Sequence, residues 1–250
     1  MDKFNSDNFL KIYFDTEFSH LSKHGTLLSI GLVSDKGDHF YAEVGDLNYK
    51  YDLDSGYVLL NRDDVFINKF VKENVISNFL FNGYEKINID HVENGTITMA
   101  VKDSFLTIHQ KLNIWLNDIN RFHWKVQFYS DCCYFDMMHL IDLITLHKTS
   151  MELPENISYI PVDLCTCLQN INIDPDCNRE EFIKNYYNAH DISSDEIINR
   201  VMNRILNPMR SASNPIKVDD VTKLKHNSLY DAFIIKIAFD VFKYMNEIDK

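Results

Sequence analysis

The sequence predicts an α/β protein on a mixed five-stranded sheet, three strands antiparallel and two parallel. Three observations carry this. Residues 11–18, 27–34 and 39–44 are short β-branched and aromatic runs joined by short polar links, the pattern of an antiparallel meander. Residues 125–130 and 158–164 are two further runs, each leading into a stretch of helical periodicity. Residues 228–245 then form a long apolar helix.

The first run, Lys11-Ile12-Tyr13-Phe14-Asp15-Thr16-Glu17-Phe18, sets two carboxylates among apolar residues. Alternate strand residues share a face, so Asp15 and Glu17 project together. Asp35-Lys36-Gly37-Asp38 marks a tight turn before the third strand. Residues 45–124 read as a helical and hairpin embellishment within a single domain spanning 1–250. It comprises a helix over 63–80 with Phe66, Phe70, Val71, Phe79 and Leu80 at helical spacing, a hairpin over 87–101 turning at Asn94-Gly95, and a helix over 103–122. The fourth strand runs through Asp131-Cys132-Cys133-Tyr134-Phe135-Asp136 into a helix over 137–147, and the fifth into one over 164–168. Residues 171–225 look polar and irregular, apart from a helix over 194–206 broken by Asn207-Pro208 and Asn214-Pro215.

The chain has 250 residues, 45% hydrophobic and 25% charged, enough to bury a sizeable core. No apolar run is long enough to span a membrane, and residues 1–7 lack the apolar centre of a signal peptide, so cytoplasmic residence is expected. Five cysteines in a chain of this size read as reduced thiols. A net charge of −12 argues against broad electrostatic capture of nucleic acid, though not against an enzyme that holds phosphates through bound cations. Within that acidic chain, residues 199–226 carry Arg200, Arg204, Arg210, Lys217, Lys223 and Lys225 against Asp219 and Asp220.

Three acidic motifs stand out. Asp15 and Glu17 side by side are costly without a counter-charge, and a divalent cation would supply it. Taken alone, they read as solvated acids on an edge strand. Asp136 sits at a strand-to-helix junction, where a lone carboxylate is ordinary. His226 precedes Asp231 by five residues at the start of the last helix, which alone reads as a capping histidine and a solvated acid.

Taken in order, these motifs resemble the DEDD superfamily of 3′–5′ exonucleases, in its histidine branch; the tyrosine branch would place a tyrosine at Asn227. The resemblance implies a ribonuclease H-like fold, helices on both sheet faces, and hydrolysis of single-stranded nucleic acid to nucleoside 5′-monophosphates. It further implies that Asp15, Glu17, Asp136 and Asp231 hold two magnesium or manganese ions roughly 4 Å apart. His226 would be the general base. The sequence departs from the pattern at Cys132, where the family often has asparagine, and Asp131 is a reserve ligand to Asp136. The 14–18 opening, followed by residues 28–33 and 40–42, is most similar to RNase AS-like bacterial and phage exoribonucleases, which implies RNA over DNA, adenosine-rich 3′ ends and a homodimer.

Phe18 reads equally as a wedge that stacks the terminal base and as plain core. The basic stretch that includes Arg210 and Lys225 reads as a substrate-phosphate clamp or a solvated loop. Two rival functions remain: a DNA-directed exonuclease of the proofreading or repair type, and an inactive nucleic-acid-binding module of the same fold. No P-loop, Rossmann fingerprint, zinc-type cysteine pairing or nucleophile elbow occurs.

Overall fold

A computed structural model describes residues 9–21, 25–51, 64–120, 125–146, 153–188, 194–210 and 224–248; side chains of 48–51, 64–66, 194–195, 208–210 and 247–248 are outside that description. The protein is α/β, centred on a seven-stranded mixed sheet. Its first three strands, β1 (Phe9–Phe18), β2 (Leu27–Ser34) and β3 (His39–Val44), form the expected antiparallel meander.

Two more strands join this sheet from the segment expected as an embellishment. β6 (Ile87–Glu93) and β7 (Thr96–Asp103) form the hairpin, with Asn94 at φ 50° and Gly95 at φ 83° satisfying its turn. β7 pairs in parallel with β3 and leaves β6 at one edge. At the other edge β8 (Lys125–Ser130) lies parallel to β1, and the two-residue β9 (Val162–Asp163) parallel to β8. The order is β6-β7-β3-β2-β1-β8-β9, seven strands where five were expected.

Strand alternation divides the core in two. Leu10, Ile12 and Phe14 of β1 pack with Phe40 and Val126 beneath α1 (Phe105–Ile119) and α2 (Cys133–Thr145). Tyr13 of β1, with Val33 and Tyr41, faces the opposite layer of α3 (Leu164–Asn170), α4 (Arg179–Asn188), α5 (Ser194–Arg210) and α6 (Ser228–Ile248). Asp15 and Glu17, at odd positions like Tyr13, therefore face the α6 side.

Four local expectations change. The helix expected over 63–80 is instead strand β5 (Asp64–Ile67), parallel to β4 (Asn48–Tyr51), followed by a π-helical turn (Val71–Val75) and a 3₁₀ turn (Ile76–Asn78); residue 63 lies outside the described residues. The Asn68 side-chain oxygen accepts from the Val71 N–H at 2.8 Å, holding the chain where the helix starts. α2 begins at Cys133, ahead of the expected 137, which places Asp136 in its first turn. α4 was missed in a stretch read as irregular, and α5 runs through Pro208 to Arg210. A proline that late in a helix removes one backbone bond without ending it at once. Asn214-Pro215, Lys217 and Lys223 are outside the described residues.

Gly31 sets the distance between sheet and helix. A Cβ there would lie 2.3 Å from the Leu229 backbone nitrogen and Cα, so only glycine lets α6 approach. Gly31 is also the register partner of Asp15. Gly31→Ala should destabilise the protein by at least about 2 kcal/mol in chemical denaturation, because rigid backbone has to move. An unchanged midpoint would contradict this packing.

Candidate functional site

Two ligand-like groups are built on β1, each around one of its carboxylates. In one, Asp15, Asp131 and Asp136 bring one carboxylate oxygen each within 4.8 Å of one another; in the other, Glu17, His226 and Asp231 do the same with a ring nitrogen included. Both sequence candidates for the middle motif, Asp136 and Asp131, thus belong to the same group.

The chain builds each position from a different element. Asp15 and Glu17 come from β1, opposite Gly31 and Ser29 of β2, with an irregularity in register after Glu17. Asp136 is buried in the first turn of α2. Its Oδ1 accepts from the Thr16 N–H at 3.2 Å and the Thr16 hydroxyl at 2.5 Å, and its Oδ2 from the Ser130 hydroxyl at 3.1 Å. Asp131 follows β8, and the Arg179 guanidinium of α4 lies 3.4 Å from its Oδ2. That guanidinium is itself fixed by the carbonyls of Cys177 and Pro175 at 2.8 and 2.7 Å. Arg179 had no signal in the sequence beyond a single basic residue in a polar stretch.

Asn227 organises the third motif. Its side-chain oxygen caps α6 through the N–H groups of Leu229 and Tyr230, at 3.2 and 3.3 Å. Its amide nitrogen donates to the Tyr41 hydroxyl at 3.1 Å and the Asn78 carbonyl at 3.0 Å. The neighbouring His226 has φ 63°, a left-handed conformation uncommon for a side-chain-bearing residue. Its backbone N–H bonds the Asp231 carboxylate. The sequence had marked position 227 only as the one that separates two branches of a family.

Crowding sets the electrostatics. Burial, and then the charges of Asp136, Glu17, Asp231 and Asp131, hold the Asp15 carboxyl well above its ordinary range. Burial and then Asp231 and Asp136 do the same to Glu17, and burial followed by Asp131 and Glu180 to Asp231. Asp136 is pushed up to about 7, chiefly by burial, against the lowering effect of the Thr16 and Ser130 bonds. Asp131 is also raised by burial, though Arg179 pulls it back. His226 is lowered by burial and then by Lys225, which favours a neutral imidazole.

Other sequence candidates lie nearby in different settings. Phe18 is half-buried, its ring centroid 5.1 Å from His139 and 5.9 Å from Phe135, so it has packing partners on the α2 side. Lys225 is exposed, and its carbonyl accepts from the Asn78 amide. Arg210 ends α5, with its side chain outside those described. One residue the sequence had placed on a core-facing helix stripe is instead exposed beside the site: Phe70, 54% exposed, meets the His226 ring edge-on at 5.4 Å between centroids.

No helix among the described residues is long and apolar enough to cross a membrane. No protein-family model matches the chain, and no curated protein matches it.

The pH dependence of stability follows from these raised carboxyls. An unfolded carboxyl ionises near 4, whereas Asp136 in the fold does so near 7. The native state therefore holds the extra proton between those values, and stability falls as pH rises from about 4 to about 7. Glu43 contributes in the same window, raised to about 7 by burial. A divalent cation relieves only the carboxylates around β1. Added Mn²⁺ or Mg²⁺ should thus raise Tm by an amount that grows across this pH window and vanishes in Asp15→Asn. A Tm at pH 7.5 indifferent to metal and to EDTA would count against a metal centre.

Proposed function

We propose that the protein is a metal-dependent 3′–5′ exonuclease of the DEDD type, acting on single-stranded nucleic acid and on RNA in preference to DNA. The observation that carries this reading is the pair of ligand groups built on one face of β1, one with three carboxylates and one with two carboxylates and a histidine. Hard carboxylate oxygens with a single imidazole suit Mg²⁺ or Mn²⁺, and the thiols of this region do not enter either group. Asp15 and Asp136, with Asp131 beside them, would hold one ion, and Glu17 and Asp231 the other. Bound there, the ions would supply charge for a phosphodiester and acidify a water.

The chain's own residues divide the remaining work. Burial and Lys225 favour the neutral form of His226, and its place beside Glu17 and Asp231 suits it to take the proton from the attacking water. Thr16 and Ser130 fix both oxygens of Asp136, so that this carboxylate is oriented before any ligand arrives. Asn227 holds the backbone on which His226 sits. Phe70, with its ring open to solvent at the edge of His226, offers a face on which the 3′-terminal base stacks. Phe18, engaged with Phe135 and His139, is the less available of the two aromatics.

The decisive experiment is a time course on 5′-labelled single-stranded RNA and DNA of one sequence with Mn²⁺, Mg²⁺ or EDTA. A metal-dependent ladder shortening from the 3′ end is expected, faster on RNA; cleavage of neither strand would overturn the reading and favour a binding module. Asp15→Ala should remove metal binding and activity while the fold persists. His226→Ala should retain the metal-dependent Tm gain and lose roughly 100-fold or more in kcat; a wild-type rate would reassign the base.

Phe70→Ala should raise KM roughly 5- to 150-fold, from the loss of about 1–3 kcal/mol of base stacking, with Phe70→Trp restoring it. Equal kinetics for Phe70→Ala and the wild type would remove Phe70 from the site.

A further inference from the structure

Away from the carboxylates, a cavity of about 320 Å³ opens where the β2–β3 and β6–β7 turns meet α5. It lies toward the start of β1, where the Asp35 N–H bonds the Lys11 carbonyl, whereas Asp15 and Glu17 lie further along that strand. The two sites therefore occupy different ends of the sheet.

The floor is electrically settled. His39 and Thr98 are neighbours in the β3–β7 register. A carbonyl can only accept, so the His39 Nδ1–H donates to Gly37 O at 3.2 Å. Nε2 is then bare and accepts from the Thr98 hydroxyl at 3.1 Å. His39 is thus a neutral, locked ring, in keeping with a pKa brought down to about 4 mainly by burial, with Arg204 adding to the effect.

The walls carry the charge. Lys36 comes from the β2–β3 turn and Arg204 from α5. Among the described residues the Arg204 guanidinium makes no hydrogen bond or ion pair, and Asn203 and Asn207 beside it also line the cavity. The acid in the lining, Glu93, is 64% exposed at its side chain and lies 3.6 Å from His91 Nε2. Asp38, close behind the floor, is consumed by the Ser34 hydroxyl at 2.9 Å and the Ile97 N–H at 2.8 Å. The lining thus holds Lys36 and Arg204 against Glu93, with Asp35 beside Lys36, in a chain of net charge −12.

We propose that this cavity is a binding site for a phosphate-bearing anion of mononucleotide size. An unpaired guanidinium presents a fork that matches phosphate oxygens. Lys36 and the amides of Asn203 and Asn207 offer more donors than the two oxygens of a carboxylate can take up. The volume is that of roughly ten water molecules, which leaves room beyond a bare phosphate for a nucleoside. This inference does not rest on the exonuclease reading, since the site shares no residue with the carboxylate groups.

The test is isothermal titration of the full chain with AMP, inorganic phosphate and adenosine, in EDTA so that no metal centre can hold a phosphate. AMP should bind, adenosine should bind at least tenfold more weakly, and both Arg204→Gln and Lys36→Gln should weaken AMP by roughly tenfold or more. AMP tighter than inorganic phosphate identifies a mononucleotide site, and equal affinities identify a phosphate site. No binding of either anion, binding unaltered by both substitutions, or adenosine binding as tightly as AMP would overturn the proposal. Arg204 is exposed on α5, so its replacement leaves the core intact.

Discussion

Carboxylate crowding around one strand is the constraint to which the rest of the molecule answers. Asp15 and Glu17 share a face of β1, and α2, the end of β8 and α6 each deliver further acids to the same neighbourhood. Such an arrangement opposes folding, because each charge loses water and meets others of its sign. It persists because the surrounding scaffold is over-determined. Thr16 and Ser130 satisfy Asp136, Arg179 offsets Asp131, and the His226 backbone serves Asp231. Each of these holds an acid in place, yet burial and the neighbouring charges still keep Asp15 and Asp136 above the ordinary carboxyl range.

The scaffold reaches that over-determination through two close fits. Gly31 lets the start of α6 lie against β2, and a Ser29–Ser228 hydroxyl contact at 3.1 Å ties the two backbones beside it. Asn227 then joins three elements: it caps α6, reaches Tyr41 on β3 and reaches the turn ending at Asn78. The Tyr41 hydroxyl in turn donates to Glu43 Oε1 at 2.7 Å, and the Phe81 N–H donates to the same carboxylate oxygen at 2.9 Å. The other Glu43 oxygen, Oε2, is buried without a hydrogen bond and has the Lys102 ammonium 3.7 Å away. This chain of hydrogen bonds links β3 and Phe81 to Asn227, the residue after His226.

How much of this was legible depended on whether the signal was local. β1, β2, β3, β8, α1 and α6 follow from periodicity, whereas Asp136, His226 and Asp231 were joined to Asp15 and Glu17 only through the resemblance of the ordered motifs to a known family. The hairpin was legible as a hairpin, but not its place in the sheet, since the β3–β7 pairing joins residues 39–44 to 98–103 and nothing in either stretch names its partner. α4 was illegible because its composition is polar and only Ile183 of it is buried, and Arg179 was lost with it. Phe70 was misplaced because apolar spacing over 63–80 suits a helix, whereas the Asn68 bond to Val71 and the strand pairing of β5 divide that segment. Local pattern found the residues that bear charge; tertiary pairing decided which of them meet.

The turn that carries Phe70 and the loop that carries His226 are not independent. Asn78, at the end of that turn, accepts from Asn227 and donates to the carbonyl of Lys225, so it grips the chain on both sides of His226. A ligand that pushed the exposed ring aside would pull on the histidine's own backbone. Occupancy at the surface could then be felt at the proton acceptor without any domain motion, through a lever a few residues long.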